Sequence, residues 1–184
     1  MGRLLVVVDY QNDFVDGALG FPGAELLEAA IVRKIREYRS SGDVVAFTFD
    51  THPAGYLDTQ EGRRLPVEHC IEGTRGWRLF GDVAAQCREG DPLFEKPTFG
   101  SAGLFDFLRE AQRRVPEGEL AFDSIELVGL VGNICVLSNA VIAKTACPEV
   151  PVLVDASCTA SFDQELNDKA LDVLSGIQVD VVNR

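Results

Sequence analysis

Asp50 and His52 stand on alternate positions in the stretch FTFDTHPAGY, and the only other histidine, His69, follows in LPVEHCIEGT. Alternate side chains at a strand end point the same way, and a loop carrying His69 can fold back over them. One carboxylate and two imidazoles make a nitrogen–oxygen ligand set that suits Zn2+ first, and Fe2+ or Mn2+ as well, with positions left open for water or a substrate atom. The same spacing also admits two surface histidines with no relation to one another. Glu61, in the intervening loop, is a further ligand, a partner of one, or a solvated carboxylate.

A thiol anchors a second set. Cys135 sits in NICVLSNAVIAKTA, an apolar helical run in which a free cysteine is ordinarily a small packing residue. The turn GLVGN just before it changes that reading, because a thiol at a helix N-terminus has its thiolate favoured by the helix dipole. Cys70, Cys87, Cys147 and Cys158 lack that combination and read as packing or surface residues. Lys96 stands at a strand end before Pro97, whereas Lys34, Lys144 and Lys169 fall on helical patterns where a solvated face is the default. Asp9 follows LLVVV and either bonds backbone amides in the turn DYQNDF, with Asp13 as a cap, or acts as the acid/base for the thiol. Asp155, also past a strand, reads as a structural capping group.

These residues share one placement. Strands are predicted at 3–8, 44–49, 92–95, 125–131, 151–154 and 177–182, and helices at 25–38, 134–146 and 164–174. Ser101 is placed as the N-cap of a further helix over AGLFDFLREAQRR, and WRLFGDVAAQCRE is a possible short one. Strands alternating with helices, several apolar on consecutive residues, predict a doubly wound α/β fold: a mainly parallel six-stranded sheet with helices on both faces. In such sheets ligands bind beyond the carboxyl ends of the strands, where Asp9, Asp50, Lys96 and Cys135 all fall. The long connection from Asp50 to Asp91, which holds both histidines, is of the kind that is more often functional than idle.

Composition narrows the class. With 184 residues and 46% hydrophobic content, residues 1–184 are expected to form a single domain with its own core. Five cysteines without a CxxC spacing argue against a disulfide framework and a zinc ribbon. The short apolar run before Asp9 does not read as a signal peptide or a spanning helix, so a cytoplasmic protein is expected. A formal charge of −12 argues against nucleic acid and acidic membranes as partners. GxxxxGK[ST] and a GxGxxG turn after the first strand are both missing, which argues against a phosphate-binding enzyme.

The motifs VVVDYQNDF, FDTHP, HCIEGT, FEKPTFGSAG and GLVGNICVLSNA, in that order, resemble the isochorismatase-like cysteine hydrolases over nearly the whole chain. Within that superfamily the sequence is most similar to the nicotinamidase branch, since isochorismatase-type members do not need the Asp, His, His set. The resemblance implies a Rossmann-like three-layer fold, with Asp9, Lys96 and Cys135 as catalytic triad and Asp50, His52 and His69 as metal ligands. It further implies that Asp9 takes the thiol proton, Lys96 holds charge beside the pair, and the Cys135 thiolate attacks a carboxamide carbonyl to give a thioester and ammonia. Backbone amides near Gly132 and Cys135 would hold the oxyanion, and a non-proline cis peptide is expected between Val131 and Gly132. Phe14 matches the aromatic residue that packs on the substrate ring, whose nitrogen the metal holds in nicotinamidases.

Two stretches depart from the nicotinamidase pattern. Gly132 and Asn133 stand where many of those enzymes have Thr-Asp, and LPVE before His69 lacks an aromatic residue. Both lie along the expected pocket wall and bear on the substrate more than on the chemistry. The expected partner is a small aromatic amide such as nicotinamide; an N-carbamoyl compound, a ureido acid or a vinyl ether like isochorismate is the alternative for the same triad. A noncatalytic binding or thiol redox module on the same fold is a third reading. By family a homo-oligomer is expected.

Overall fold

The stretches Leu4–Val8 (β1) and Ile125–Gly129 (β4) are buried at every position, as strands covered on both faces must be. In the computed structural model, which describes residues 2–184, they pair in parallel at the centre of a six-stranded sheet. The order is β3-β2-β1-β4-β5-β6, with β2 at Val44–Asp50, β3 at Leu93–Lys96, β5 at Val152–Thr159 and β6 at Asp180–Val182. All neighbouring strands are parallel, so their carboxyl ends lie along one edge, and the order reverses direction between β1 and β4. That reversal is the place where doubly wound sheets bind ligands.

The helices are α1 (Asn12–Val15), α2 (Glu28–Ser40), α3 (Gly81–Gln86), α4 (Ala102–Arg113), α5 (Leu137–Ala146) and α6 (Gln164–Gly176). Alternate strand residues feed opposite cores. Leu4, Val6 and Val8 pack with Leu104, Leu108, Ala140, Ala143 and Leu174 from α4, α5 and α6. Leu5 and Val7 pack with Ile31, Ile35, Tyr38 and Val83 from α2 and α3. Each fully buried leucine or isoleucine stabilises by roughly 1.5–3 kcal/mol, so both layers are held firmly against the sheet. The Ser101 hydroxyl caps α4, accepting from the Leu104 N–H at 3.1 Å. Among the described residues no helix is long and apolar enough to cross a membrane.

Several boundaries differ from those expected. β4 stops at Gly129 rather than running to Val131, because Gly129 takes φ +109° and a Cβ there would lie 2.1 Å from the Val8 carbonyl oxygen. The helix expected from Ile134 opens instead as a π-helical turn over Gly132–Val136, with the Val136 N–H reaching back to Val131 O, and is α-helical only from Leu137. The helix expected from Glu25 begins as a 3-10 turn at Ala24–Leu27, and the one expected over WRLFGDVAAQCRE is confined to α3. β5 is longer than expected and β6 shorter, since α6 continues to Gly176.

Lys34 is not on a solvated face. Its ammonium lies 2.6 Å from Glu126 and 2.7 Å from Asp155, because α2 crosses β4 and β5 at that point and buries the lysine tip between their carboxylates. Asp155 is the structural capping group expected, accepting from the Ser157 N–H and hydroxyl, and it also ties Asn183 and Lys34 to the strand.

Candidate active site and metal-ligating cluster

The strand ends bring the two residue sets together. Asp9 leaves β1, Lys96 closes β3, and Cys135 lies in the π-helical turn after β4. Lys96 Nζ is 2.7 Å from Asp9 Oδ2, 3.5 Å from Cys135 Sγ and 3.0 Å from the Thr98 carbonyl, which accepts from it. Asp9 does not cap the DYQNDF turn. Its Oδ1 accepts from the Thr48 hydroxyl at 2.6 Å, and its buried Oδ2 meets no hydrogen-bond donor among the described residues beyond the ion-pair contact with Lys96. Its backbone is held at φ +44°, a left-handed conformation that costs about 1 kcal/mol or more in a residue with a side chain. Asp13 spans the site instead of capping: one carboxylate oxygen accepts from the Cys70 N–H at 2.7 Å and the other from the Ala18 N–H.

Burial sets the protonation of this group. It pushes the Cys135 thiol well above its ordinary value; Lys96 opposes that, while Asp9 and Asp50 add to it. It also raises Asp9, against the pull of Lys96, so the carboxylate next to the thiol gains affinity for a proton. For Lys96 burial works the other way, but Asp9, Cys135 and Asp50 outweigh it and keep the ammonium charged. The resting thiol therefore holds its proton beside a base strengthened to take it and a fixed positive charge.

Asp50 joins this set to the other. One oxygen lies 3.2 Å from Lys96 Nζ; the other lies 3.0 Å from His52 Nε2 and 3.3 Å from His69 Nε2. These contacts, with the charge of Lys96, outweigh burial and hold the Asp50 carboxyl well below its ordinary value. His69 reaches the cluster because its loop pairs with the chain after β2: the His52 N–H donates to Cys70 O, and the Glu72 N–H to His52 O. One donor atom from each of Asp50, His52 and His69 falls within 4.8 Å of the others, and all three residues are buried. His69 Nδ1 lies 2.8 Å from the Val67 carbonyl, so a proton there leaves Nε2 as a lone pair aimed at the cluster. Glu61 Oε1 is 3.9 Å from His52 Nε2. Three carboxylates (Asp9, Asp50, Glu61) facing one lysine leave an excess of negative charge that a divalent cation offsets, so the donor set fits such an ion.

Both sets open onto one pocket of about 420 Å³, whose floor is formed by Phe14, Asp50, His69, Val131 and Cys135. The expected cis peptide is displaced by one bond, to Leu130–Val131. Gly132 is already part of the π-helical turn and gives its N–H to the Ala160 carbonyl at 2.8 Å, so it is neither the cis residue nor a free donor. The Val131 N–H has no acceptor among the described residues.

Other residues complete the site without a clear sequence signal. Gln11 fixes the end of β2 through both backbone groups of Asp50, at 2.9 and 2.8 Å. Tyr56 packs on both imidazoles, with ring centroids 4.6 and 4.9 Å away. Asn139 donates to the Cys135 carbonyl at 2.8 Å. Thr48 was legible in principle, standing two residues before Asp50 and so on the same strand face.

Comparison with known proteins agrees with this architecture. The isochorismatase domain model matches residues 3–184. A Bacillus subtilis (strain 168) protein described as "Uncharacterized isochorismatase family protein PncA" is 34% identical over 175 residues, covering 90% of each chain. The crystal structure of nicotinamidase/pyrazinamidase PncA from Bacillus subtilis superposes with a TM-score of 0.81 at 30% identity, covering 98% of this chain and 99% of the other. That of pyrazinamidase of Pyrococcus horikoshii in complex with zinc shares the fold, with a TM-score of 0.82 at 21% identity over 100% of both chains. The matched range spans all six strands, and the chain belongs to the isochorismatase family.

Proposed function

We propose that the protein is a metal-containing cysteine amidohydrolase of nicotinamidase type, converting nicotinamide or a similar small aromatic amide to its acid and ammonia. The observation that carries the reading is the buried contact of Lys96 with both Asp9 and Cys135, where Cys135 lines the same pocket as Asp50 and His69. Asp9 takes the Sγ proton, and the thiolate adds to the amide carbonyl carbon. Backbone N–H groups of Val131 and Cys135 receive the oxyanion; Gly132 is excluded by its bond to Ala160. Asp9 returns the proton to the leaving nitrogen, the C–N bond breaks, and ammonia departs from a Cys135 thioester. Asp9 then takes a proton from water as its oxygen attacks; the acid is released, and the proton goes back to sulfur. Lys96 stays charged throughout and offsets each anion formed beside it.

Asp50, His52 and His69 would hold the metal, with Glu61 as a further ligand or partner. Zinc suits this set first, iron and manganese also fit it, and the zinc of the Pyrococcus horikoshii structure supports the order. When bound, such an ion supplies a Lewis acid for a substrate ring nitrogen. Phe14, edge-on to His69 at 5.8 Å, would pack on that ring. An N-carbamoyl or ureido acid, or isochorismate, would bring a carboxylate to a pocket lined by no arginine or lysine among the described residues, which weighs against that alternative. The reading takes residues 1–184 as one hydrolase domain, acting in the cytoplasm as a homo-oligomer; the five free cysteines are in keeping with a reducing compartment.

The test is ammonia release from nicotinamide by the purified protein as isolated, after chelation, and after restoring zinc, iron or manganese. Release that falls on chelation and returns with one of these ions is expected. An undiminished rate after chelation would remove the metal from the reading, and no release under any condition would remove nicotinamide.

A further inference from the structure

The reacting groups occupy only the inner end of the pocket. Phe14, Val131, His69 and Cys135 are nearly enclosed there, whereas Leu65, Phe99 and Phe162 on the same wall are 38%, 47% and 63% exposed. Burial falls from floor to mouth, and the mouth is built of large apolar side chains, which soluble proteins seldom gather at the surface without a use.

This outer wall is held in place. The Phe162 ring stands edge-on to the buried Phe21, with centroids 6.3 Å apart. Asn139, which donates to the Cys135 carbonyl, also donates to the Phe99 carbonyl at 3.1 Å and accepts from the Ser101 N–H at 3.0 Å. The loop carrying Phe99 is thereby fixed to the turn carrying the nucleophile. The cavity, at about 420 Å³, also falls within the range of roughly 300–1,000 Å³ typical of pockets that enclose drug-sized ligands. A single pyridine ring with one carboxamide is smaller than that class and would leave the outer wall bare.

Resting on the amidohydrolase reading above, we propose that the outer wall is a subsite for an uncharged, apolar extension of the substrate. The preferred substrate is then an aromatic carboxamide carrying a second ring, with Phe99 and Phe162 as specificity-determining residues. The carboxamide and ring nitrogen lie at the floor among Cys135, Asp50 and His69, and the second ring leaves water to pack between the two phenylalanines and Leu65. No arginine or lysine among the described residues lines the wall to pair with an anionic extension, so a neutral one is favoured.

The experiment compares kcat/KM for ammonia release from nicotinamide, quinoline-3-carboxamide and 5-carboxynicotinamide, using zinc-supplemented protein. Quinoline-3-carboxamide is expected to exceed nicotinamide by about tenfold, and 5-carboxynicotinamide to fall below it. Phe162→Ala and Phe99→Ala, both at exposed positions that the fold does not depend on, should each lower the quinoline-to-nicotinamide ratio by about fivefold or more. Turnover of nicotinamide with equal or poorer turnover of the quinoline amide would overturn the subsite and leave the amidohydrolase reading standing. A ratio that neither variant moves would likewise overturn it. Ammonia from neither amide would overturn both.

Discussion

Two lysines each sit between two carboxylates in this molecule, Lys96 buried and Lys34 half-buried, and of the two only Lys96 lies within hydrogen-bonding distance of a thiol. Lys96 touches Asp9, Asp50 and the Cys135 thiol at the strand ends, and Asp50 and Cys135 in turn line an apolar pocket. Lys34 touches Glu126 and Asp155 over the face of the sheet, where Tyr38 also donates to Glu126, and the groove beside it is lined by polar side chains. A buried ammonium between two acids is thus a means of satisfying charge under a helix as readily as a piece of catalytic machinery. What separates the two is a thiol in direct contact with the ammonium and an apolar cavity that this thiol lines.

The comparison breaks most decisively at Cys135, the proposed nucleophile. Cys135→Ala should lower kcat by roughly four orders of magnitude or more while leaving the circular dichroism spectrum and chromatographic behaviour intact. Measurable turnover near the parent rate would assign the chemistry elsewhere. The lysines themselves give the sharper contrast. Lys96→Met leaves Asp9 and Asp50 buried beside one another and should cost about 3–5 kcal/mol in urea unfolding along with turnover. Lys34→Met should cost less, about 2 kcal/mol, because the Lys34 side chain is 17% exposed and water screens what remains. Its kcat/KM per folded molecule should stay within about twofold of the parent. If Lys34→Met lowered kcat as Lys96→Met does, the division between structural and catalytic lysine would fail.

The same pair shows what the sequence could and could not reveal. Lys96 was legible because its place at a strand end is a local property, and the doubly wound rhythm already says where strand ends converge. Asp9, Asp50 and Cys135 were legible for the same reason, and the alternation of 50 and 52 pointed to a shared ligand cluster. Lys34 was misread because Glu126, its partner, stands 92 residues away, and a helical period says nothing of a carboxylate awaiting it across the sheet. The cis peptide was placed one bond too late for a related reason: a π-helical turn stands between β4 and α5, and an α-helical reading does not anticipate it. Gln11 escaped notice because its role is to bind the backbone of Asp50, and a side chain that reads another strand's main chain leaves no spacing pattern.

The smallest expected effect concerns the structural cluster alone. Burial tends to raise the Asp155 carboxyl, but bonds from Lys34, Ser157 and Asn183 outweigh it and hold the group below its ordinary 3.8. The native state therefore binds this proton less readily than the unfolded chain does. The resulting stabilisation is complete above the unfolded value and disappears as pH falls through the lower native one. Lys34, whose own value is raised by the two carboxylates against burial, stays charged across that window and contributes no slope there. Asp155→Asn removes the titrating proton. Free energies of urea unfolding measured from pH 6 down to about pH 2.5 should converge for parent and variant at the acid end, with the parent more stable above about pH 4. Curves separated by a constant amount throughout would show that Asp155 is held by packing and hydrogen bonds without a linked proton, and the Lys34 cluster would then differ from the Lys96 cluster in its electrostatics as well as in what it faces.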